Sequence, residues 1–472
     1  MKFAFIEPKP PFNAYFFLKK LPLLGNLFLG TMLKNAGHTV KIFKENIIPA
    51  YNEKTDEFHP FIKEADAVGI TTITHTANRA YQVADAIKRQ FPSKKVVLGG
   101  NHVSALPEEA IQHADQVVVG EGENVVLDIF EGRNTDRIVN GSRVNMNDVP
   151  PLELKLLQGY RLKKDRINMR HAPIMASRGC PYDCNFCSVT KMFGRKYRIK
   201  DADLVMEEVM MRYNEGFRYA FFYDDNFAAN HEKTKIFLEK LIKADLDLIW
   251  SSQFRVEVAK DKELVDLLQR SKCGTAFIGV ESINPKALED YNKRQSVEDV
   301  KNCIKILNEA DIKVHSMYIL GAESDDEDTI EETIRFSRNS GSRTAQFSIL
   351  FPIPGTKLYG EMKEQNRIFI NDWNYYDGSH TIILPKHITP YRLQKKLIHA
   401  YKSFYSTTIL KWLMSRLGFF MWKLTNRKFL KYLRYFTRKL RKEGIINNGI
   451  LTIKGLKTEL IPKKFSAAFS RK

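Results

Sequence analysis

The feature that most constrains this chain is a group of three cysteines, Cys180, Cys184 and Cys187, in a stretch of eight residues. Thiolates are the ligands that iron–sulfur clusters and zinc select. A structural zinc site requires a fourth ligand, and no further Cys-x-x-Cys or His pair lies nearby. The spacing therefore indicates a 4Fe–4S cluster that keeps one iron open for another ligand. The alternatives are a zinc knuckle and a group of buried thiols.

The composition predicts a globular chain of several domains in a reducing compartment. The chain has 472 residues, 43% of them hydrophobic. No apolar run reaches the roughly 18 residues that span a membrane, and residues 1–8 are typical of a buried strand rather than a signal peptide. Five cysteines in this length do not indicate a disulfide framework, so we expect a cytoplasmic location.

The positive charge of the chain is concentrated at its C-terminal end. The formal net charge is +19, and residues 411–472 contain 17 Lys and Arg but only two acids, Glu443 and Glu459. The remainder is therefore close to neutral. The basicity belongs to a C-terminal region, residues 391–472, rather than to the body of the protein.

Residues 1–150 alternate between predicted strands and helices. The strands are expected at 3–6, 39–43, 67–72, 95–98 and 116–119, and the helices at 26–36, 77–90 and 107–113. This alternation predicts a Rossmann-like, doubly wound parallel sheet. Ligands of such sheets bind outside the carboxyl ends of the strands. Glycines fall at or near these ends, where a ligand approaches the backbone closely, at Gly69, Gly99, Gly100, Gly120 and Gly122.

Residues 151–390 continue the alternation after Pro150 and Pro151 break the chain. Six strands are expected, at 173–177, 219–223, 248–253, 275–280, 313–320 and 345–350. The pattern predicts a partial six-stranded (β/α) barrel, and the fold class of the whole chain is α/β. Sites in such barrels gather at the carboxyl ends of the strands. Candidate residues there are Asp224, Asp225, Ser252, Arg255 and Glu281.

The cysteine stretch, with Phe186 before its third cysteine, resembles the signature of the radical S-adenosylmethionine (SAM) superfamily. The resemblance implies that the three cysteines hold the cluster and that the open iron binds SAM, with Phe186 close to the cofactor. It also implies that an electron, delivered by a donor such as flavodoxin or ferredoxin, cleaves SAM to a deoxyadenosyl radical.

The resemblance also gives the barrel-rim residues roles in binding SAM. Asp224 and Asp225 match the position that binds the SAM amino group, and the alternative is a pair that caps a helix. Ser252 and Arg255 match groups that meet the ribose and carboxylate. Glu281 resembles a SAM-contacting glutamate, and the alternative is a surface residue.

The first domain resembles the cobalamin-binding domain found in one branch of this superfamily. The resemblance rests on residues 97–102 and 119–123, and it implies that Gly69, Gly99, Gly100, Gly120, Glu121 and Gly122 line the cobalamin site. Many cobalamin domains carry an Asp-x-His-x-x-Gly stretch that this chain lacks. His38, His75 and His102 are the nearby candidates, but none lies in that motif. The alternative is a Rossmann-like domain that binds nothing.

Residues 372–390 resemble the lid that follows the barrel in this branch. Tyr375, Tyr376 and His380 are candidates for proton handling on the substrate side. The alternative is aromatic packing of the lid on the barrel.

The region after residue 391 is predicted to be helical, basic and amphipathic. Apolar residues alternate with Lys and Arg across 419–442, a pattern typical of a membrane-surface helix. Packing on the barrel and a nucleic-acid surface are the alternatives, although nucleic acid is not an expected partner. Peripheral contact with a membrane would follow from the first interpretation.

These observations lead to one functional hypothesis and three rivals. The hypothesis is a radical SAM enzyme with a 4Fe–4S cluster and cobalamin that methylates an unactivated carbon of a small-molecule or lipid-like substrate. The rivals are an oxidative cyclase or carbon–carbon bond-forming enzyme of the same architecture, an RNA-modifying enzyme, and a sensor without catalysis. The chain lacks the extra N-terminal cysteines of RNA methylthio-transferring relatives.

Overall fold

The structure is a computed structural model that describes residues 1–11, 21–160, 171–406, 426–447 and 450–451. Its strands are β1 (Lys2–Glu7), β2 (Thr39–Lys44), β3 (Tyr51–Asn52), β4 (Glu57–Phe58), β5 (Ala67–Thr71), β6 (Lys95–Gly99), β7 (Gln116–Val119), β8 (Ile138–Asn140), β9 (His171–Ile174), β10 (Ser177–Arg178), β11 (Arg198–Ile199), β12 (Tyr219–Phe222), β13 (Ile249–Phe254), β14 (Cys273–Glu281), β15 (Lys313–Leu320), β16 (Thr344–Ile349), β17 (Ile446–Asn447) and β18 (Ile450–Leu451). Its α-helices are α1 (Leu24–Asn35), α2 (Pro60–Glu64), α3 (Ala77–Gln90), α4 (Asn101–Ala105), α5 (Pro107–Ala110), α6 (Val126–Phe130), α7 (Val189–Phe193), α8 (Ala202–Asn214), α9 (His231–Lys243), α10 (Lys262–Arg270), α11 (Pro285–Asp290), α12 (Val297–Glu309), α13 (Glu327–Asn339), α14 (Lys357–Glu364), α15 (Pro390–Tyr405) and α16 (Arg427–Lys442).

The first sheet is parallel, with strand order β2-β1-β5-β6-β7-β8. Its strands are apolar runs because both faces are covered, as in β1, where Phe3 and Ile6 have no exposed surface. The chain goes from β1 to β2 on one side and then continues through β5 on the other. The carboxyl ends of β1 and β5 therefore flank the point where the strand order reverses, which is where such sheets bind ligands. The predicted doubly wound sheet is confirmed, and the structure adds β8, which the sequence did not predict.

The second large sheet has six strands in the order β16-β15-β14-β13-β12-β9. Helices alternate with these strands along the chain, and the strand pairs β9–β12, β14–β15 and β15–β16 are parallel. This is the predicted partial barrel. Its terminal strand β16 is covered by α15, because the hydroxyls of Tyr401 and Tyr405 bond the backbone N–H and C=O groups of Phe347 and Ala345 at 2.8–3.1 Å. These bonds satisfy the open edge of the sheet.

Contact density divides the chain into two units. One unit consists of residues 1–181, 188–225 and 243–250, and the other of 182–187, 226–242 and 251–472. The boundaries predicted near residues 150 and 390 stay predictions, because these units follow packing rather than family domains.

The apolar face of helix α16 is buried against its own unit. Phe429, Leu433, Phe436 and Leu440 are at most 3% exposed and belong to one hydrophobic core with lid residues such as Ile382. For this helix the packing interpretation is therefore correct, and its apolar stripe is not available to insert into a lipid surface. The rest of the predicted amphipathic stretch, residues 419–425, lies outside the described residues. Among the helices that the structure describes, none has the length and hydropathy of a membrane span.

Candidate functional site

The cysteine loop starts from a short antiparallel hairpin. Strand β10 pairs with β11, and Gly179 follows β10 with a φ of 88°. A Cβ at Gly179 would lie 2.6 Å from the carbonyl oxygen of Lys196. Only glycine therefore fits where the chain turns into Cys180.

Residues 182–187 are held by backbone hydrogen bonds at both faces of the loop. The N–H of Asn185 donates to the carbonyl of Tyr291 at 3.2 Å, and the carbonyl of Asn185 accepts from Leu358 at 3.2 Å. The Phe186 ring packs edge-on against Tyr291, with the centroids 5.3 Å apart. Phe186 thus anchors the loop, and its predicted contact with a cofactor stays a prediction.

A buried arginine lies beside the second cysteine. The Nη1 atom of Arg255 lies 3.7 Å from the Sγ of Cys184, and its guanidinium lies 3.6 Å from the ring centroid of Tyr182. Its Nε and Nη2 donate to the Glu257 carboxylate at 3.1 and 3.0 Å. Burial alone would lower the pKa of Arg255, but Glu257 holds that pKa above its ordinary value. A permanent positive charge therefore stands next to the sulfur of Cys184.

The three cysteines supply the type of donor, thiolate sulfur, that an iron–sulfur cluster requires. None of the five cysteines forms a disulfide; Cys184 is buried, and Cys180 and Cys187 are partly exposed. Within the described ranges, no group of three or more His, Cys, Asp or Glu side chains converges on one ion. In a 4Fe–4S cluster each cysteine binds a different iron, so the sulfur atoms need not meet at one point. The assignment of the three cysteines to a cluster stays a prediction.

Asp224 and Asp225 follow β12; Asp224 has no exposed surface, and Asp225 is partly exposed. The Asp224 carboxylate accepts from the N–H of Ala176 at 3.1 Å and from the hydroxyl of Ser177. Burial raises the pKa of Asp224 to about 7 and that of Asp225 to about 6, and Arg178 partly opposes the second shift. Neither residue caps a helix, because the next helix begins at His231. Two adjacent carboxyls suit an ammonium group, but the predicted contact with SAM stays a prediction.

Ser252 lies within β13, the third barrel strand, whereas Arg255 directly follows that strand. Ser252 has no exposed surface and shares its face of β13 with the buried Phe254, whereas Gln253 on the opposite face is partly exposed. Ser252 therefore offers no surface to a ligand in this structure. Its predicted contact with SAM stays a prediction.

Glu281 ends β14 in an unusual backbone conformation. Its φ is 61°, the strand register shifts between Gly279 and Glu281, and its carboxylate accepts from the Nζ of Lys293 at 2.6 Å. A non-glycine residue in this conformation costs on the order of 1–3 kcal/mol, and such residues cluster at functional sites. Glu281 is 7% exposed, which excludes the surface alternative.

The three lid residues pack inside the second unit. His380 has no exposed surface; its Nδ1 lies 2.9 Å from Asp377 and its Nε2 lies 2.7 Å from Asn426. Tyr376 is 1% exposed, and its hydroxyl donates to a backbone carbonyl at 3.2 Å. The Tyr375 ring meets His380 edge-on, with the centroids 5.1 Å apart. These contacts are those of aromatic packing, and the predicted proton handling stays a prediction.

The carboxyl edge of the first sheet offers backbone without side chains. A Cβ at Gly99 would meet the Cβ of Val118 at 3.9 Å, an ordinary contact distance. Gly100 and Gly120 have φ values of 102° and 88°, and a Cβ at Gly100 would lie 2.5 Å from the carbonyl of Thr72. Close backbone approach and positive φ values therefore require glycine at Gly100 and Gly120, and binding of cobalamin at this edge stays a prediction.

Packing explains the predicted cobalamin-site glycine Gly69 but not Gly122. A Cβ at Gly69 would lie 2.6 Å from the ring of Phe5, and one at Gly122 would lie 3.4 Å from Leu29. Gly69 is thus required for strand packing inside the sheet. Binding of cobalamin at both positions stays a prediction.

The three candidate histidines lie in different places. His38 precedes β2, at the amino edge of the sheet, and its Nε2 lies 2.9 Å from Glu131. His102 is 1% exposed within α4. His75 follows β5 at the carboxyl edge and is partly exposed. Of these three, His75 alone combines the carboxyl edge with an exposed side chain.

Glu121, at the same edge, is engaged by two arginines of the cysteine hairpin. Its Oε2 accepts from Arg178 and from Arg198 at 3.0 Å each, and its Oε1 accepts from a second nitrogen of Arg198. Glu123 accepts from Arg178 at 2.6 Å. Burial would lower the pKa of Arg178, but the two glutamates keep it above its ordinary value. Arg178 and Arg198 were not predicted as site residues, because their charge, opposite to that of Glu121 and Glu123, was the only signal in the sequence.

On the inward face of β14–β16, the paired residues beyond the amino ends of the strands carry no net charge. Paired residues share a face, and two such rows are Phe277, His315 and Thr344, and Gly279, Met317 and Gln346. Residues of the opposite face, such as Phe347, pack on α15, so these rows face the barrel interior. Burial lowers the pKa of His315 to about 4, which leaves it uncharged near neutral pH.

Family comparisons agree with this architecture. Residues 174–337 match the model of the radical SAM superfamily, and residues 18–130 match that of the B12 binding domain. The fold resembles that of the cobalamin-dependent S-adenosylmethionine radical enzyme OxsB, solved with aqua-cobalamin and S-adenosylmethionine bound. The TM-score is 0.64 at 14% identity, over 97% of this chain and 77% of that one.

Two relatives of established name align over most of the chain. The bacteriochlorophyllide d C-8(2)-methyltransferase of Chlorobaculum tepidum is 30% identical over 75% of this chain and 82% of its own. The anaerobic magnesium-protoporphyrin IX monomethyl ester cyclase of Cereibacter sphaeroides is 26% identical over 86% of this chain and 70% of its own. The chain therefore belongs to the cobalamin-dependent branch of the radical SAM superfamily and is an enzyme whose cofactors are SAM, a 4Fe–4S cluster and cobalamin.

Proposed function

We propose that this enzyme methylates an unactivated carbon of a small-molecule or lipid-like substrate, and that Cys180, Cys184 and Cys187 hold its cluster. The observation that carries the proposal is the combination, in one chain, of a B12-binding domain with a radical SAM domain. The Chlorobaculum tepidum relative, which is named a methyltransferase of a bacteriochlorophyllide, supports methyl transfer as the outcome.

The residues of this chain would bind and orient the cofactors. When bound, the cluster and SAM supply a carbon-centred radical, and cobalamin supplies a transferable methyl group. The cation of Arg255 stands 3.7 Å from the sulfur of Cys184 and favours electron density there. The adjacent carboxyls of Asp224 and Asp225 suit the SAM ammonium group, because desolvation raises the pKa of both and so favours a neutralising proton or cation beside them.

The barrel wall supports a neutral, largely apolar substrate. Phe277, Met317 and Ile319 offer apolar surface on the inward face of β14–β16, and Gln346 and Ser348 add amide and hydroxyl groups. A pocket of this kind binds by area burial and uses a few polar groups for orientation. A highly charged substrate would lack counter-ions on this wall.

Reconstitution tests the cofactor set. The chain is purified without oxygen, loaded with iron, sulfide and hydroxocobalamin, and compared with Cys184→Ala and with Cys303→Ala, whose cysteine is buried in α12. We expect about four irons and one cobalamin per wild-type chain, iron loss in Cys184→Ala, and no loss in Cys303→Ala. Iron without cobalamin would contradict the proposal, and so would equal iron loss in both variants.

Methyl transfer is tested with SAM labelled in its methyl group. The reconstituted enzyme is incubated with an extract of small molecules and lipids, and products are sorted by mass. Label in a product heavier by one CH2 than its substrate supports methylation.

A second candidate is a radical reaction without methyl transfer, such as an oxidative cyclisation. The Cereibacter sphaeroides relative, which is named a cyclase and aligns over 86% of this chain, favours it. The same labelled reaction separates the two, because a cyclase consumes SAM to deoxyadenosine and leaves its product unlabelled.

The exposed face of α16 is proposed as a contact for an anionic membrane surface. Its exposed basic residues are Arg427, Lys428, Lys431, Arg434, Arg438, Arg441 and Lys442. Among the described residues, none of these has a carboxylate partner within salt-bridge distance. Clustered Lys and Arg gain roughly 1 kcal/mol each near anionic lipid, and because the apolar stripe is buried, the contact would be electrostatic.

Vesicle binding tests this contact. We expect co-sedimentation with phosphatidylglycerol vesicles at low salt, release at high salt, and loss in Lys431→Glu/Arg434→Glu. The matched control is Lys301→Glu/Lys305→Glu, on the exposed face of α12. Equal binding to phosphatidylcholine vesicles would argue against an electrostatic contact.

The electron donor is proposed to be a small flavodoxin- or ferredoxin-like protein. The proposal follows from the family's need for one electron per SAM cleavage. Deoxyadenosine formation with reduced flavodoxin in place of a chemical reductant is the measurement, and activity with the chemical reductant alone would count against such a donor.

A further inference from the structure

A buried network of four charges joins the B12-binding domain to the hairpin that starts the cysteine loop. It consists of Glu121 and Glu123, in the loop after β7, and Arg178 and Arg198, on β10 and β11. The side chains of these residues are between 1% and 11% exposed. All four belong to the unit made of residues 1–181, 188–225 and 243–250.

The network is balanced in charge and dense in hydrogen bonds. Arg178 divides its guanidinium between the two glutamates, at 3.0 Å to Glu121 and 2.6 Å to Glu123. Arg198 binds both oxygens of Glu121 and also donates to the carbonyl of Val144 at 2.6 Å. Two positive and two negative groups leave no uncompensated charge in a buried place.

Such a network adds little to the free energy of unfolding, but it holds its side chains in one relative orientation. Desolvation of buried ions offsets most of their attraction, so apolar residues of similar volume often stabilise as well or better. Fork-shaped arginine–carboxylate pairs, however, hold both partners in one geometry. The aromatic rings of Phe28 and Phe193 lie 5.2 and 5.7 Å from the Arg178 guanidinium and restrict it further.

The position of the network gives this orientation a purpose. Arg178 lies two residues before Cys180, and Glu121 lies between Gly120 and Gly122 at the carboxyl edge of the first sheet. A fixed distance between this edge and the hairpin matters for an enzyme that must bring groups of two cofactors together, because small misplacements cost large factors in rate.

We propose that Glu121 and Glu123 are positioning residues, which hold the carboxyl edge of the B12-binding domain against the hairpin that carries Cys180, rather than ligands of cobalamin. The proposal rests on the two domains and is independent of methylation as the final outcome. It predicts that loss of either glutamate loosens the hairpin while both cofactors still bind.

Hydrogen exchange of the cofactor-free chain is the first test. Glu123→Gln and Glu121→Gln are compared with Glu45→Gln, which removes one carboxylate of a buried Arg79–Glu45 pair of similar burial inside the first domain. We expect backbone amides of residues 177–199 and 120–124 to exchange about tenfold faster in the first two variants. The Glu45→Gln control should leave these segments unchanged. Equal exchange in wild type and in both glutamine variants overturns the proposal, as does the same acceleration in Glu45→Gln.

The second test separates positioning from binding of cobalamin. Reconstituted chains are given SAM and hydroxocobalamin reduced with titanium(III) citrate, and methyl transfer from the SAM sulfonium to cobalt, which leaves S-adenosylhomocysteine, is followed by absorbance. We expect Glu123→Gln to keep iron and cobalamin contents and to lose about tenfold in transfer rate. Loss of cobalamin content in Glu121→Gln, with unchanged exchange of the hairpin, would instead make Glu121 a cobalamin ligand and sink the proposal.

Discussion

The Nη1 atom of Arg255 lies 3.7 Å from the sulfur of Cys184. The arginine comes from the carboxyl end of β13, 71 residues along the chain from the cysteine. Its position is fixed by the Glu257 carboxylate and by the ring of Tyr182. Because Arg255 is buried and held in place, solvent screens its charge little. The charge therefore acts on any group that the Cys184 sulfur binds.

Replacement of Arg255 should lower the reduction potential of the cluster. A nearby cation stabilises the reduced, more negative cluster, so Arg255→Met is expected to shift the midpoint potential downward by on the order of tens of millivolts. Arg255→Lys keeps a positive charge at this position, so we expect a smaller downward shift of the midpoint potential than in Arg255→Met. The measurement is a potentiometric titration followed by electron paramagnetic resonance, with exposed Arg270→Met as the control. An unchanged potential in Arg255→Met would contradict this account.

Replacing only one partner of the buried ion pair between Glu281 and Lys293 should lower the free energy of unfolding strongly. Both side chains are at most 9% exposed, so Glu281→Gln leaves a buried ammonium group without its carboxylate. We expect a loss of about 3–5 kcal/mol in the free energy of unfolding. Glu281→Gln/Lys293→Met should recover part of that loss, because the uncompensated charge is gone. Urea unfolding of the cofactor-free chains is the measurement, and a double variant no more stable than the single one would speak against the ion pair.

The fold could be predicted because each strand is indicated by its own residues, whereas the candidate site is formed by pairs of residues that are far apart in the sequence. The apolar runs of β1 and β15 identify these strands from their own residues. The rule that sites gather at the carboxyl ends of barrel strands also selected Arg255 as a candidate. The pairing of Arg178 with Glu121, 57 residues apart, has no local period that could reveal it. Nor could the amphipathic pattern of α16 distinguish a lipid surface from the lid core that its apolar face meets, because both are apolar.

Because α16 packs on the lid, substitutions of Leu433 and Tyr435 in this helix should differ strongly in their effect on the free energy of unfolding. Leu433 has no exposed surface, whereas Tyr435 is 66% exposed. We expect Leu433→Ala to lower the free energy of unfolding by about 2–5 kcal/mol, and Tyr435→Ala to change it by less than about 0.5 kcal/mol. Denaturant unfolding of the full chain is the measurement. Equal, small effects in both variants would mean that the helix is not docked in solution.

Asp224 should make the cofactor-free chain less stable as pH rises toward neutrality. Burial raises the pKa of Asp224 to about 7, whereas an aspartate in the unfolded chain titrates near pH 4. Between these values the folded state binds more protons than the unfolded state, so the free energy of unfolding falls as pH increases. The fall is complete above about pH 7, and below about pH 4 both states are protonated and the penalty is absent.

Asp224→Asn should remove this pH dependence. The asparagine can accept from Ala176 and donate to Ser177, so it keeps the bonding pattern of the protonated aspartic acid. Relative to wild type, the variant is expected to gain up to about 1.4 kcal/mol per pH unit between about pH 5 and 7. Urea unfolding across this range is the measurement, with Asp266→Asn, whose side chain is 56% exposed, as the control. Parallel stability curves for wild type and Asp224→Asn would show that Asp224 titrates normally, and its carboxylate would then be ionised and already compensated before SAM binds.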